Sequence, residues 1–317
     1  MNLKKVLFVQ HSGWVGGSAI SMLQLAAALD RDQFEPHVVF TQDGPVLAVA
    51  EKMDIHARVV SMPSAFFYGA HVPLGMRSLL SFAVQYRRTV AAAKELVRQV
   101  NPDLVHLNTS VLVPVATGVK QTGVPLVWHV REVAGPNPLL RRWHTGRIKS
   151  LSDLIITNSH YVAGDYVGPT PVEVIHNALD RARFTLAHDG ARARVRAELG
   201  IPDQSPVAGM IGSVQRVKGH YSLVEVALSV VRSIPSVRFL IVAPGGHNGA
   251  ASSLKGRVRR LLGMPQDNLH RMRNLVQRAG LEEHFVFSGF RSDIPEVLSA
   301  MDVLVFPSLI PEGFGRP

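Results

Sequence analysis

The sequence predicts an α/β protein built of two doubly wound domains, and three observations lead there. Short apolar runs alternate with longer stretches of helical period, as parallel strands covered on both faces require. A turn-rich break, "GPTPVEVIHNALDRARF" at 168–184, interrupts the alternation. Beyond the break it starts afresh. A first domain over 1–180 and a second over 181–317 follow.

"KVLFVQ" opens the first domain as a strand. "SAISMLQLAAALD" then reads as a helix, with Ser18 as its cap and Ile20, Leu23 and Ala27 on one face. "HVVFTQ" is the next strand. A basic, aromatic-containing helical region from about Pro73 to Val100 leads into three more strands, "DLVHLNT", "PLVWHV" and "DLIITNS". In the second domain "PVAGMIG", "RFLIVAP", "FVFSGF" and "DVLVFPS" read as strands. The helices between them are "GHYSLVEVALSVV", "NLVQRAGL" and "DIPEVLSAM". No sequence repeat relates the halves.

Composition narrows the class. With 46% apolar and 18% charged residues the 317-residue chain reads as globular. It holds no cysteine, which excludes a disulfide framework and thiolate metal sites. "MNLKKVLFVQHSG" has too short an apolar run for a signal peptide, and nowhere do 18 apolar residues run together. A soluble, cytoplasmic chain is expected. The net charge of +10 divides as 16 basic against 13 acidic residues in 1–180, and 18 against 11 beyond. Such an excess suits an anionic partner. No helix-turn-helix, zinc pattern or aromatic-lined basic sheet accompanies it, so nucleic acid is not expected.

In "GMIGSVQRVKGH" a strand ends at Ile211 and Gly212 makes the turn. Arg216 and Lys218 then stand before a helix starting near His220. Two cations beside unpaired helix amides can cradle a diphosphate; the other reading is a solvated loop. Neither a P-loop nor a Gly-x-Gly-x-x-Gly is present. In "EGFGRP" Glu312 can accept from hydroxyls, and the amides of Gly313, Phe314 and Gly315 can donate to phosphate or sugar oxygens; the alternative is an ordinary turn. His129 closes "PLVWHV" at the carboxyl end of a strand, where ligands bind in parallel sheets, although a satisfied core histidine fits too. Gly16 and Gly17 permit either tight packing or close backbone approach to a ligand. In "SLKGRVRRLLGM" Leu254, Val258, Leu261 and Leu262 share a helical face with Lys255, Arg257, Arg259 and Arg260 between them. Such a helix packs on its own domain or lies on an anionic membrane surface.

In this order the stretches resemble the retaining glycosyltransferases of family 4, of the two-domain GT-B architecture. Lys218 and Gly219 match the Lys-Gly of that family's "G-R-L-x-x-x-K-G" loop. Glu312, Gly313, Phe314 and Gly315 match the first glutamate of its Glu-x7-Glu motif and the loop that follows. "FVFSGFRSDIPEVLSAMDVLVFPS" is similar to the segment leading into that loop. "GWVGGSAI", "VWHVRE", "TNSHYV" and "VIHNALD" are similar to segments of the first domain. Each is weak alone; seven in order, over nearly the whole chain, are specific.

The resemblance implies a second domain that binds a nucleotide-sugar and a first domain on the acceptor side. The acceptor would be a glycan or a lipid-linked sugar, reached by peripheral contact with the inner face of a membrane. It implies no metal and no cofactor; Asp30 and Asp32, which imitate the Asp-x-Asp of another glycosyltransferase architecture, read as a solvated turn. Lys218 would neutralise the departing diphosphate, while His129 and Glu312 orient the sugar. The family's loop arginine falls on Ser213, so the second cation is expected from Arg216. Its second glutamate falls beyond Pro317. The expectation is therefore a second domain truncated within the motif, poor binding of nucleotide-sugars by the 317 residues, and no detectable transfer. A sugar-nucleotide epimerase on the same fold and a non-catalytic binding fragment are the competing readings.

Overall fold

The structure, a computed structural model, describes residues 3–63, 65–66, 76–179, 181, 184, 190–243 and 268–315, with the backbone alone at 76–79 and 81. The basic segment Leu254–Leu262 lies outside the described residues. Contacts divide the chain into two units, Met1–Ala178 with Pro311–Arg316, and Leu179–Ile310 with Pro317.

The first unit is built on seven parallel strands: β1 (Lys4–Gln10), β2 (Phe34–Phe40), β3 (Ala57–Val59), β4 (Leu104–Asn108), β5 (Leu126–Val130), β6 (Leu154–Thr157) and β7 (Val172–Val174). Their order is β3-β2-β1-β4-β5-β6-β7. The order reverses between β1 and β4, where doubly wound sheets bind ligands. Alternation along β1 feeds two cores. Val6 and Phe8 pack with Met22 and Leu23 of α1 (Gly17–Ala27) and with Val46 and Ala50 of α2 (Val46–Lys52). Leu7 and Val9 join Leu96 and Val97 of α3 (Met76–Val100), Val115 of α4 (Val113–Lys120) and Ile148 of α5 (Pro138–Leu151). A four-residue helix, α6 (His160–Ala163), follows β6.

Two expectations change here. Ser18 does not cap α1: Gly16 is the N-cap, and Ser18 Oγ accepts instead from Gln10 Nε2 at 3.3 Å. The break at 168–184 also contains β7, a three-residue edge strand that pairs Val172 with Ile155. Among the described residues no helix is long and apolar enough to cross a membrane.

The second unit is a four-stranded parallel sheet of order β10-β9-β8-β11, formed by β8 (Val207–Ile211), β9 (Arg238–Val242), β10 (Phe285–Gly289) and β11 (Val303–Leu304). On one face Phe239 and Ile241 meet Leu223 and Ala227 of α8 (His220–Ser233) and Met272 of α9 (Asn268–Arg278). On the other, Leu240 and Val242 meet Val195 of α7 (Ala191–Glu198) and Val297 of α10 (Ile294–Ser299). The strand expected over "DVLVFPS" pairs only at Val303 and Leu304. Pro307 cannot donate to a ladder, and the chain turns there so that the Leu309 amide donates to Val217 O at 2.8 Å.

The start of β8 is tied to the α10–β11 turn by a buried arginine. Arg196, 1% exposed, donates from Nε to Ala300 O (3.1 Å), from Nη1 to Asp203 O (2.6 Å) and Ser205 O (2.9 Å), and from Nη2 to Asp302 Oδ2 (3.0 Å). The same Asp302 oxygen accepts from the Val207 amide at 2.7 Å, and Arg192 holds the other at 2.6 Å. Burial alone would raise the Asp302 carboxyl. The Val207 amide and the two arginines outweigh it and hold the group below the usual carboxylate range.

Candidate functional site

Each strand end at the β1–β4 reversal carries polar residues straight after an apolar run: Gln10 and His11, Asn108 and Thr109, Arg131 and Glu132, Asn158 and Ser159. In a parallel sheet these positions share one edge. They form one hydrogen-bonded cluster. Arg131 donates from Nε to Asn108 Oδ1 at 2.7 Å and from Nη1 to Asn177 Oδ1 at 2.5 Å, and its Nη2 lies 3.3 Å from His129 Nδ1. Asn108 Nδ2 donates to Gln10 Oε1 (2.6 Å) and to Ser18 O (3.0 Å) in the first turn of α1.

Thr109 is the strained member. Its φ of 81° lies in the left-handed region, which a β-branched residue rarely adopts. Three contacts hold it: its amide donates to His129 O (2.9 Å), its carbonyl accepts from Trp128 Nε1 (2.8 Å), and Oγ1 lies 2.9 Å from His11 Nδ1.

The electrostatics follow from burial. His129 is 6% exposed; desolvation, then Arg131 and His106, push its imidazole down to about 2. Burial takes His11 down to about 4 and, with help from Arg131, His106 to about 3. All three rings are neutral near pH 7. Burial raises the Glu132 carboxyl, although it accepts from the Ser110 amide at 2.9 Å.

At Gly16 neither backbone nor crowding demands glycine: its φ is extended and an added Cβ would meet nothing within 4 Å. Gly16 and Gly17 are exposed, so they leave room at the start of α1 rather than seat the helix on the strand. Packing requires glycine instead at Gly13 and Gly44, where a Cβ would lie 2.4 Å from Asp43 O and 2.3 Å from Gly13 O.

In the second unit β8 ends at Ile211, and Gly212 follows at φ 133° with its amide bonded to Val242 O. A Cβ on Gly212 would come within 3.6 Å of Lys218 Nζ, so the ammonium lies over the strand end. Arg216–Lys218 make a turn of 3₁₀ helix and Gly219 is the N-cap of α8. Gly219 has φ 80°, and a Cβ there would sit 2.1 Å from Pro307 O, so it cannot be replaced without moving the loop. Lys218 is half-buried; Ser213 and Arg216 are exposed. Among the described residues neither Lys218 nor Arg216 forms an ion pair.

The structure therefore sets Lys218 over Gly212, with Ser213, Arg216 and Gly219 on the same strand-to-helix loop. By their contacts Glu312, Gly313, Phe314 and Gly315 group with the first unit. Ser159 Oγ donates to Gly313 O, a Cβ on Gly313 would meet Arg131 O at 2.3 Å, and the Phe314 ring lies 5.7 Å from His176. No helix begins over Glu312–Gly315; Gly315 takes φ 69°. The residues that sequence reasoning missed are Arg131 and Asn108, and the signal was the polar pair after each apolar strand.

Two Rossmann-like parallel sheets in one chain are the elements of the GT-B architecture. The chain belongs to glycosyltransferase family 4: the model described as Glycosyltransferase Family 4 matches residues 15–183, and that of Glycosyl transferases group 1 matches 191–317. Curated relatives include a D-inositol 3-phosphate glycosyltransferase of Corynebacterium jeikeium (28% identical, 56% of this chain and 41% of that one). Another is a 2-deoxystreptamine N-acetyl-D-glucosaminyltransferase of Streptomyces fradiae (27% identical, 93% of this chain, 69% of that one). The chain thus spans less than half of the first relative's length. Among solved structures, Anabaena HepE in complex with UDP and glucose matches with a TM-score of 0.73 at 24% identity, over 99% of this chain and 76% of that one. A glycosyltransferase from Rickettsia africae matches with the same TM-score at 17% identity, over 100% of this chain and 76% of that one.

Proposed function

We propose that the protein transfers a sugar from a nucleotide-sugar to an acceptor with retention, in the synthesis of a glycan, polysaccharide or glycolipid. The observation that carries this reading is the Lys218 ammonium, without an ion pair among the described residues, over Gly212 at the carboxyl end of β8 and two residues before α8. A fixed cation beside helix amides stabilises the charge that develops on a departing diphosphate. Arg216 supplies a second charge from the exposed side of the same turn. The neutral His129 and Glu312 orient the sugar. HepE has been solved with UDP and with UDP-glucose, which supports a donor of that kind.

The acceptor in this reading is a glycan or a lipid-linked sugar, met at an anionic membrane surface. Support for that contact among the described residues comes from exposed apolar and basic residues on α3 and on α5. On α3 Leu80, Val84, Arg87 and Arg88 recur at helical spacing and are exposed, as are Leu139 and Arg142 of α5.

A thermal-shift series on the full gene product with UDP-, GDP- and ADP-sugars tests the reading. At 100 times its Kd one of them should stabilise by about 2.7 kcal/mol, which raises Tm by roughly 5–10 °C, while free sugars do nothing. No shift with any of the three would overturn the proposal.

A further inference from the structure

We propose that Arg131 is the positioning residue of the strand-end cluster, fixing His129 as an imidazole that carries its proton on Nε2. What that proton serves rests on the function proposed above; the tautomer stands on geometry alone. A guanidinium donates and never accepts. With Arg131 Nη2 3.3 Å away, His129 Nδ1 must therefore be the accepting nitrogen. A neutral imidazole with an accepting Nδ1 holds its hydrogen on Nε2. His129 Nε2 is buried and has no partner among the described residues. A buried donor left unsatisfied costs stability, and a sugar hydroxyl oxygen is the kind of acceptor that repays it.

The same guanidinium sets the sense of the neighbouring bonds. Because Arg131 Nε donates to Asn108 Oδ1, the amide of Asn108 can face only one way, with Nδ2 toward Gln10 Oε1 and Ser18 O. Gln10 in turn presents Nε2 to Ser18 Oγ. One side chain on the end of β5 thereby orders β4, β1 and the first turn of α1. Asn177 holds the remaining arm, and the nearby ring of His106, 5.5 Å from His129, bonds through neither nitrogen among the described residues.

Long-range proton–nitrogen spectra of the histidine rings decide the matter, recorded near pH 7 on the full gene product and assigned with His129→Gln. The Nε2–H form is expected for the parent, and a mixture or the Nδ1–H form for Arg131→Met, with at least tenfold weaker binding of whichever of the UDP-, GDP- and ADP-sugars gives the thermal shift. An Nδ1–H ring in the parent, or an unchanged tautomer in Arg131→Met, would overturn the assignment. If Arg131→Met does not fold, the parent spectrum still decides. An Nε2–H ring in a protein that binds no nucleotide-sugar would sink the proposed function and leave Arg131 in its role.

Discussion

Lys218→Ala in the full gene product is expected to lower turnover by roughly 10²–10³-fold, the usual loss when one preorganised charge-stabilising donor is removed. Tm should stay within about 2 °C, because a half-buried surface charge without an ion pair among the described residues adds little to stability. The reasoning is positional. The Lys218 ammonium rests over Gly212 at the strand end, and the left-handed Gly219 caps α8 immediately afterwards. Released nucleoside diphosphate, followed beside a thermal melt, gives both quantities. A near-normal rate would remove Lys218 from the chemistry. Arg216→Ala should fall nearly as far, and an undiminished rate would leave the site with a single cation.

The largest effect on stability is expected from Arg196→Met, which fits the volume of the stem but removes every polar contact of a residue 1% exposed. Four backbone carbonyls, of Ala300, Pro202, Asp203 and Ser205, lose the guanidinium, and Asp302 Oδ2 keeps only the Val207 amide. Breaking a buried charged network in this way costs about 3–5 kcal/mol, or a fall of about 10 °C in a domain of this size. Arg196→Lys should recover only part, since one ammonium cannot reach carbonyls that lie around a planar fork. Acid weakens the clasp as well. Asp302 has a depressed carboxyl, so its contribution is complete above the ordinary carboxylate range and is lost as pH falls through the lower folded value. A loss under 1 kcal/mol in denaturant melts of Arg196→Met would show that water replaces the guanidinium.

Much of this fold is legible because parallel strands covered on both faces must be apolar without interruption. "VLFV", "LVHL" and "FLIV" can be little else. The edge strands β3 and β7, three residues each and largely unburied, carry no such run and could not be read. β11 failed for the opposite reason: its apolar run continues past Leu304, but Pro307 and the turn onto Val217 end the pairing. At the site, the sequence order pointed to Lys218 and Gly219 because a loop between strand and helix is local. The cluster around Arg131 is not local. Asn108, Arg131 and Asn177 come from three separate stretches, and nothing in their spacing announces that one guanidinium joins them. The contacts of the terminal loop are equally non-local, since its partners Ser159 and His176 lie far back in the chain.

The strand order has a consequence for how the first unit assembles in time. Gln10 and Asn108 touch, yet 98 residues separate them, and β2, β3 and α3 lie in the interval. Neighbouring contacts can form early, but the β1–β4 pairing must wait until that long loop closes, and such non-local parallel pairings are slow. Asp103, which accepts from the Lys5 amide at 2.9 Å and from Lys4 Nζ at 3.0 Å, is the clasp that sets the register once the strands meet. Before that moment the helices can exist while Gln10–Asn108 and His11–Thr109 do not. Recovery of helical circular dichroism on refolding should therefore run ahead of recovery of ligand binding, and the lag should lengthen when Asp103 is replaced by Ala. Simultaneous recovery would place the closing of the central strands in the first step instead.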